Sequence, residues 1–351
     1  MGIRSGAFKA NSQNPQRFLM GFPTARYFCF LIIFGALAIS AGIFGYFFWG
    51  GSFEGNEIVF ENISPEIIEK PITLLFVGDI MLSRSVAKQM EKYGDYRYPF
   101  LKIAGLTRSA DLTFGNLEGP ISAGGLNQGS IYSFRAKPEV VEGLMLAGFD
   151  VLSLANNHIW DWGSEALSDT IDILKKNGIE PVGAGKNNFE ANSPAIKEIN
   201  GTKIAFFAYT NLYPESLEAG FDSLGISSFN LEEIKGKISQ MKKSGEADIV
   251  VVSLHWGEEY KREANRYQRD TAESLAESGA DLIIGHHPHV IQEIENGIAY
   301  SLGNFVFDQS FSEETMEGAV LKVVIKDKKI SEIIPLKIKI NDTFQPEEIS
   351  L

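Results

Sequence analysis

The sequence is poor in cysteine and in basic residues, and each shortage excludes a class of protein. Cys29 is the single cysteine among 351 residues, so no disulfide can form within the chain. Lys and Arg number 32 against 45 Asp and Glu, which gives a formal net charge of −13. Binding nucleic acid through its phosphates requires a basic surface, and we therefore expect no nucleic-acid partner. An anionic substrate is still compatible with this charge, because a bound metal can reverse the local field.

Acidic residues are absent from the N-terminal part of the chain, where the first carboxylate is Glu54. The residues before position 27 include basic side chains, and residues 28–49 carry no charge. An uncharged run of this length can span a bilayer as a helix, and the basic flank predicts a cytoplasmic N-terminus. A signal peptide, cleaved near Ala38 or Ala41, is the alternative interpretation.

The chain is therefore predicted to have four parts. They are a cytoplasmic basic segment at 1–26, a transmembrane helix at 27–49, a linker at 50–71 and one folded domain at 72–345. The folded domain is expected to lie outside the cytoplasm, attached to the cell membrane by a single span.

From residue 72 onward, short apolar runs alternate with amphipathic stretches, which is typical of an α/β fold. The clearest predicted strands are 149–154, 203–209, 248–254 and 281–284. Apolar residues at helical spacing predict helices over 164–177 and 265–278, each followed by a glycine. The chain after residue 298 is rich in predicted strands, with a hairpin turn at Asp327, Lys328 and Lys329. We expect these late strands to extend the first sheet or to add a second.

All five histidines follow apolar runs that we interpret as strands. The run VLSLANNH ends at His158, VVSLH ends at His255, and DLIIG precedes His286, His287 and His289. Imidazoles at the ends of neighbouring strands meet at one edge of a sheet, where a metal can bind them. Three unrelated core or capping histidines are the alternative.

Three further predicted strands also end in polar side chains. FVGD ends at Asp79, LTFGNLE carries Asn116 and Glu118, and AYSLGNFVFD carries Asn304 and Asp308. Oxygen and imidazole donors together favour Mn, Fe, Zn, Co or Mg over softer metals. The sequence therefore predicts a divalent-metal site at the carboxyl edge of the sheet.

Seven ordered motifs between about residues 72 and 310 carry a family resemblance. They are VGDIMLSR, FGNLEGPIS, FRAKPE, AGFDVLSLANNHIWDWG, HWGEEY, GADLIIGHHPHV and YSLGNFVFDQ. This series resembles the CapA family of capsule (poly-γ-glutamate) synthesis proteins, which is related to the calcineurin-like metallophosphoesterases. The resemblance implies a metallophosphoesterase-like α/β sandwich, with two β-sheets stacked inside, helices outside and the site at the loop edge.

The resemblance also implies a ligand set for one or two divalent ions, such as Mn, Fe, Zn or Mg. The residues it assigns to metal are Asp79, Glu118, Asn157, His255, His287 and His289. Glu118 is preferred to Asn116 as the bridging ligand, because an amide is a poor bridge between two cations. Met81 stands where the family pattern has a histidine, which weakens one metal position. His286 is the alternative to His287 in the last motif.

Three residues are assigned to catalysis: His158, Asp161 and Arg135. His158 resembles the histidine that donates a proton to the leaving group in the related enzymes; the alternative is a structural histidine held by Asp161. Arg135 could pair with a phosphate or carboxylate, or could form a surface ion pair. Arg84 is a weaker candidate for the same role.

Other polar residues near these motifs have two interpretations. Asn304 and Asp308 could orient the histidines or form turns. Trp256, Glu258 and Glu259 could form the wall of a pocket or cap the strand that ends at His255.

The resemblance implies a role in capsule or poly-γ-glutamate biosynthesis or export. Metal-dependent hydrolysis of a phosphoester or amide in an envelope polymer is the first hypothesis. A non-catalytic assembly or export subunit of a polymer synthesis complex is the second, and a binding module is the third. The expected partners are an envelope polymer or phosphorylated envelope substrate, the membrane, and other membrane subunits of a polymer synthase.

Overall fold

The computed structural model describes residues 70–349, which contain seven α-helices and sixteen strands. The strands are β1 (Ile72–Ile80), β2 (Leu112–Leu117), β3 (Val151–Ser153), β4 (Glu180–Val182), β5 (Ala184–Gly185), β6 (Ala195–Ile199), β7 (Thr202–Thr210), β8 (Gly225–Ile226), β9 (Ile249–His255), β10 (Leu282–His286), β11 (Ile294–Glu295), β12 (Ile298–Ala299), β13 (Asn304–Val306), β14 (Glu317–Lys326), β15 (Lys329–Ile340) and β16 (Pro346–Glu348). The helices are α1 (Arg84–Tyr93), α2 (Ala104–Thr107), α3 (Val141–Ala147), α4 (Gly163–Lys176), α5 (Asn188–Asn192), α6 (Leu231–Ser244) and α7 (Arg266–Glu277). Short 3-10 helices occupy Tyr98–Phe100, Pro138–Val140, Glu215–Leu217 and Glu314–Met316.

Two mixed β-sheets form the centre of this region. The first has the order β16-β15-β14-β1-β2-β3-β4, and β13 also pairs with the carboxyl end of β1. The second has the order β11-β12-β10-β9-β7-β6, while β5 and β8 form a small separate ribbon. Strands β1 to β4 run parallel, and so do β7, β9, β10 and β12. In each sheet, the carboxyl ends of the parallel strands therefore share one edge.

The central strands are apolar along most of their length because both of their faces are covered. Strand β1 reads ITLLFVGDI, and only Thr73 is less than fully buried. Phe76 on β1 and Phe114 on β2 contact Phe206 on β7, with ring centroids 6.4 and 5.7 Å apart, respectively. The two sheets therefore stack face to face with these rings between them.

Helices cover the sandwich from outside. Ile234 and Ile238 of α6 and Leu275 of α7 pack on one face of the second sheet. Helices α1, α3 and α4 contribute buried residues to the larger core that contains the first sheet. Helix α7 begins at a capping box, in which the side chains of Asn265 and Gln268 each bond to the other's backbone N–H.

Strands β1 and β13 approach each other closely just before Asp79. The Asp79 N–H donates to the Gly303 carbonyl at 3.0 Å. A Cβ on Gly78 would lie 2.0 Å from that same oxygen, so the approach requires glycine. This contact fixes the backbone that carries Asp79 to the edge of the sheet.

The structure confirms a mixed α/β fold with more than one sheet, as the sequence predicted. The late strands β14 to β16 extend the first sheet, and β16 lies beyond the predicted domain limit at 345. Asp327 and Lys328 form the predicted hairpin turn with φ values of 49° and 60°. The helices predicted over 164–177 and 265–278 are α4, which is displaced by one residue, and α7, which is one residue shorter at each end.

The predicted cytoplasmic segment at 1–26 and transmembrane helix at 27–49 lie outside the described residues, as does nearly all of the linker at 50–71. Between residues 70 and 349, no helix has both the length and the apolar character needed to cross a membrane.

Candidate metal centre

The carboxyl edges of the two sheets bring the predicted ligands together. Asp79 on β1 is level with Asn116 on β2 and with Asn304 on β13. In the second sheet, His255 on β9 is level with His286 on β10. Asn116 connects the two sheets, since its Nδ2 lies 3.3 Å from His255 Nδ1. All five side chains are buried.

Asp79, Glu118 and His255 form a group that we call the deep group. One donor atom from each residue lies within 4.8 Å of the other two. Glu118 is only 1% exposed, and neither of its carboxylate oxygens has a hydrogen-bond partner among the described residues. Asn157 adjoins the group, with its Oδ1 lying 2.9 Å from His255 Nε2. Four of the predicted ligands therefore meet in one place, three of them buried and Asn157 half-buried.

A chain of buried amides fixes the deep group. Asn156 Nδ2 donates to Asn116 Oδ1 at 3.2 Å, and Asn116 Nδ2 donates to Asp79 Oδ1 at 2.8 Å. Both ends of the Asn116 amide are thus engaged with protein groups. This geometry favours Glu118 over Asn116 as the oxygen ligand from β2.

The loop after β10 carries the remaining histidines to the same edge. His286 Nδ1 lies 3.3 Å from Asp79 Oδ1, and neither ring nitrogen of His286 has a hydrogen-bond partner among the described residues. The His287 N–H donates to Asp79 Oδ2 at 3.1 Å. Both histidines therefore adjoin Asp79, His286 through its ring and His287 through its backbone, but only His287 belongs to a group of ligand-type side chains within 4.8 Å of one another.

Asn304 orients His289. His289 Nδ1 lies 2.9 Å from Asn304 Oδ1, while Asn304 Nδ2 donates to Gln309 Oε1 and the Thr315 carbonyl. Since the amide NH₂ is engaged elsewhere, its oxygen must accept, and Nδ1 of His289 carries the proton. Nε2 then faces Glu118 Oε1 at 3.7 Å. Of the two roles considered for Asn304, the geometry favours orientation of a histidine.

Burial and the charges of neighbouring side chains shift the pKa values of these groups. Burial would raise the pKa of Asp79, but the adjoining imidazoles of His286 and His289 hold it well below its usual value. Burial raises the pKa of Glu118 well above the usual range. His255 has a lowered pKa, because burial and the neighbouring His287 disfavour its charged form.

The two histidines of the last motif shift in opposite directions. Burial, reinforced by His289, lowers the pKa of His287 to about 4. Burial also disfavours the charged form of His289, yet the carboxylates of Glu118 and Asp79 raise its pKa to about 9. Neutral imidazole at His255 and His287 is the form that binds a metal, and positive charge is favoured beside Glu118.

His158 and Asp161 form a pair next to the deep group. His158 Nδ1 lies 2.8 Å from Asp161 Oδ2, which also accepts the Phe134 N–H at 2.8 Å. The His158 ring stacks on Phe134 with centroids 4.0 Å apart. Its Nε2 lies 3.9 Å from Glu118 Oε1. Asp161 therefore holds the imidazole with Nε2 toward the candidate site.

Arg135 lies away from this pocket. Its Nη1 donates to the Gly124 carbonyl at 2.8 Å, and its guanidinium lies 3.5 Å from the centre of the Trp162 ring. Arg84 instead lines the pocket and pairs with Asp308 at 2.9 Å. The role predicted for Arg135 is not supported by this placement, since Phe134 lines the pocket and Arg135 does not.

Of the two roles considered for Asp308, orienting a histidine is not the one that the structure shows. Rather than contacting a histidine, its Oδ2 accepts the Ser85 N–H at 3.0 Å near the start of α1, and its Oδ1 pairs with Arg84. The carboxylate thus stabilises the N-terminus of α1 and fixes the arginine that lines the pocket.

A cavity of about 180 Å³ opens beside these groups. Its polar lining consists of Arg84, His158, Glu259, His289, Asp308 and Gln309, and its aromatic lining is Tyr132, Phe134, Tyr260 and Phe311. Tyr132 and Phe311 are 66% and 65% exposed, respectively. Polar groups able to bind or transfer a proton therefore face a cleft that a substrate can enter.

The donor set fits a divalent cation. Carboxylate, amide and imidazole groups converge, and the buried atoms without protein partners include both oxygens of Glu118 and Nδ1 of His287. A buried carboxylate without a hydrogen-bond partner destabilises the fold unless a positive charge adjoins it. Met81 does not add to this set, because its sulfur accepts hydrogen bonds from the Ser83 N–H and hydroxyl at 3.1 and 3.0 Å.

The sequence did not predict the roles of two residues at this site. Asn156 adjoins Asn157 in the ANNH motif, and the sequence does not indicate that it anchors Asn116. Glu259 was considered only as a pocket wall, but it groups with His287 and His289. Its position after HWG was the available signal.

These donors, at the edge of an α/β sandwich, have the composition of a divalent-metal centre. Comparisons with known proteins show to which family this chain belongs. The model of the bacterial capsule synthesis protein family, PGA_cap, matches residues 73–309. The capsule biosynthesis protein CapA of Bacillus anthracis is 35% identical over 283 residues, covering 76% of this chain and 68% of that protein. The PGA biosynthesis protein CapA of Bacillus subtilis is 34% identical over 301 residues, with coverage of 84% and 77%, respectively. The chain belongs to the CapA family of bacterial capsule synthesis proteins, which confirms the resemblance of its motifs.

Among solved structures, the 5'-nucleotidase precursor from Thermus thermophilus aligns with a TM-score of 0.42 and 12% identity. The alignment covers 80% of this chain and 55% of that one. A similarity this distant says nothing about substrate.

Proposed function

We propose that this protein is a metal-dependent hydrolase of capsule or poly-γ-glutamate biosynthesis, which cleaves a phosphoester or amide bond of an envelope polymer. The observation that carries the proposal is the unpartnered, buried carboxylate of Glu118 within reach of Asp79, His255 and His289. The His158–Asp161 pair beside it supports a reaction rather than binding alone. Attachment to the cell membrane through residues 27–49, with the folded domain outside the cytoplasm, belongs to the same proposal.

The residues that would hold the cation are Asp79, Glu118, Asn157, His255, His287 and His289. When bound, a divalent cation supplies Lewis acidity toward a phosphoryl or acyl oxygen. Asp79 and Glu118 would balance its charge, while Asn116 and Asn304 keep Asp79 and His289 in position. Because these groups are buried, they need no rearrangement at the moment of reaction.

His158 would provide the proton for the leaving group. Asp161 accepts from Nδ1 and stabilises the imidazolium, so the proton is donated from Nε2 into the cavity. A well-placed acid of this kind typically contributes about 10²- to 10⁴-fold to the rate. Arg84 would meet an anionic part of the substrate at the mouth of the cavity.

A hydrolysis assay tests the proposal. Purified full-length protein is assayed with Mn²⁺ on generic phosphomonoester and phosphodiester substrates, beside Asp79→Ala and His255→Ala. We expect measurable turnover in the wild type and background in both variants. Equal background in all three proteins would reject the phosphoesterase version.

Assembly or export without catalysis is the second candidate function. It is favoured by exposed apolar residues, since such residues can dock a partner protein. Tyr132 and Phe311 line the cavity and are 66% and 65% exposed, and Ile131, which precedes Tyr132 in the chain, is 92% exposed. Complementation of a deletion strain separates the two candidates. Polymer production restored by Asp79→Ala would favour assembly, whereas failure of both site variants, with normal protein levels, would favour catalysis.

A further inference from the structure

A continuous series of aromatic rings runs along the cavity beside the deep group. In order, the rings belong to Phe311, Tyr260, His289, Phe307, Phe134 and His158, and the centroids of successive rings lie 4.0–6.2 Å apart. Phe307 has no exposed surface, whereas Phe311 at the outer end is 65% exposed. Tyr132 also lines the cavity and is 66% exposed. The inner part of the wall is therefore packed, and two rings at the mouth keep most of their surface exposed.

The loop that carries Tyr132 is anchored at both ends to one residue, Asp161. The Gln128 N–H donates to the Asp161 carbonyl at 2.9 Å, and the Phe134 N–H donates to Asp161 Oδ2 at 2.8 Å. Between these anchors, residues 130–133 form no backbone hydrogen bond with other described residues. Because Asp161 also holds the imidazole of the proposed acid, the same residue positions both that acid and the loop.

Tyr132 lies on the side of the cavity where a leaving group would depart. Tyr132 and Phe134 both line the cavity, whereas Ser133 and Arg135 do not. Phe134 stacks on His158, whose Nε2 faces the deep group. A substrate that places its reacting group at the deep group therefore extends its leaving group past His158, toward the more exposed Tyr132.

Tyr260 holds Phe311 in a defined arrangement at the mouth. The two rings are nearly perpendicular, at 87°, with centroids 5.0 Å apart. The Tyr260 N–H donates to the Pro288 carbonyl at 2.8 Å, and its hydroxyl accepts from Gln309 Nε2 at 3.2 Å. Its φ of 63° lies in the left-handed region that non-glycine residues seldom occupy. Such strain is retained where the surrounding structure fixes the residue, so this corner of the cavity is formed before a ligand arrives.

We propose that Tyr132 and Phe311 bind the leaving group of the substrate, and that this group carries a ring or another flat apolar face, as a sugar does. Covering an exposed ring with an apolar surface is favourable, and stacked or edge-to-face contacts add to the gain. The charged part of the substrate lies at the deep group and Arg84, and the ring-bearing part lies at the mouth. Tyr132 and Phe311 are then specificity-determining residues. This inference rests on the proposed function, since it assumes that the substrate reacts at the deep group.

A matched pair of phosphonates, which resist hydrolysis, tests the proposal, because phenylphosphonate carries a ring and methylphosphonate does not. Isothermal titration calorimetry measures the Kd of each for the full-length protein with Mn²⁺. We expect the wild type to bind phenylphosphonate at least about tenfold more tightly than methylphosphonate. Tyr132→Ala and Phe311→Ala should each reduce this preference at least about threefold, and Tyr132→Phe should keep it. Ile131→Ala is the matched control, because Ile131 is 92% exposed in the same loop and does not line the cavity.

The outcomes separate this inference from the proposed function. A loss of affinity confined to phenylphosphonate in Tyr132→Ala and Phe311→Ala supports the inference. Equal affinity of the wild type for the two phosphonates would overturn it, and so would a preference that neither variant reduces, which would assign the exposed rings to a partner protein. In either case, metal-dependent turnover in the hydrolysis assay would leave the proposed function intact. Thermal unfolding should give the same midpoint for all variants, because the side chains replaced are mostly exposed.

Discussion

Two regions of the same strands are equally buried, but burial has opposite consequences for them. Phe76 and Phe114 lie between the sheets against Phe206 and have no exposed surface. Further along β1 and just after β2, Asp79 and Glu118 are buried to the same degree. Burying an aromatic ring stabilises a fold by about 2–3 kcal/mol, whereas burying a carboxylate costs several kcal/mol unless partners compensate it. Asp79 has such partners, but the Glu118 oxygens have no hydrogen-bond partner among the described residues.

The interior of the sandwich therefore holds the edge in an arrangement that the edge would not adopt by itself. A site that is rigid before its ligand arrives needs such support from neighbouring structure. Substitutions in the two regions should consequently differ in sign and in their dependence on metal. Removing a ring should lower the free energy of unfolding, whereas removing the Glu118 carboxylate should raise it without metal and weaken metal binding.

The largest effect on stability is expected in the interior. Phe206→Ala should lower the free energy of unfolding by about 3–5 kcal/mol, because the cavity it leaves touches both sheets. Denaturant unfolding measures the change. Phe221→Ala is the control, since Phe221 is 99% exposed, and its effect should be within about 0.5 kcal/mol. A loss below about 1 kcal/mol for Phe206→Ala would contradict the stacking of the sheets on these rings.

At the edge of the sheets, the expected change in the free energy of unfolding has the opposite sign. Glu118→Gln replaces a buried carboxyl group whose ionisation burial disfavours and whose oxygens have no hydrogen-bond partner among the described residues. Without metal, this variant should be more stable than the wild type by about 1–3 kcal/mol, and its stability should no longer rise when Mn²⁺ is added. Thermal unfolding with and without Mn²⁺ measures both effects, with Glu273→Gln as the exposed control. A less stable metal-free Glu118→Gln would mean that the carboxylate has a stabilising partner.

The smallest effect is expected at Arg135, which belongs to neither region. Losing its bond to the Gly124 carbonyl and its contact with Trp162 should cost about 1 kcal/mol. Arg135→Ala should leave metal content and KM unchanged. The control Arg266→Ala, on the exposed side of α7, should change neither stability, metal content nor KM. A large rise in KM for Arg135→Ala would restore the role in substrate binding that the sequence suggested.

The sequence indicates which residues lie at the carboxyl edge, because polar residues at the ends of parallel strands are brought together by the topology of the sheet. Asp79, Asn157 and His255 converge for this reason. The sequence does not distinguish Phe134 from Arg135 as the residue that faces the cavity, because that depends on the packing of Phe134 on His158. The buried amide chain is equally hidden in the sequence, since asparagine in a motif can bind metal, anchor a neighbour or form a turn.

Metal analysis of the purified full-length protein tests the central claim most directly. After metal-replete growth and dialysis, at least one divalent ion should remain in each wild-type chain. Asp79→Ala and His255→Ala should contain much less, and Glu273→Gln should match the wild type. A folded wild-type protein that retains no divalent ion under these conditions would contradict the account.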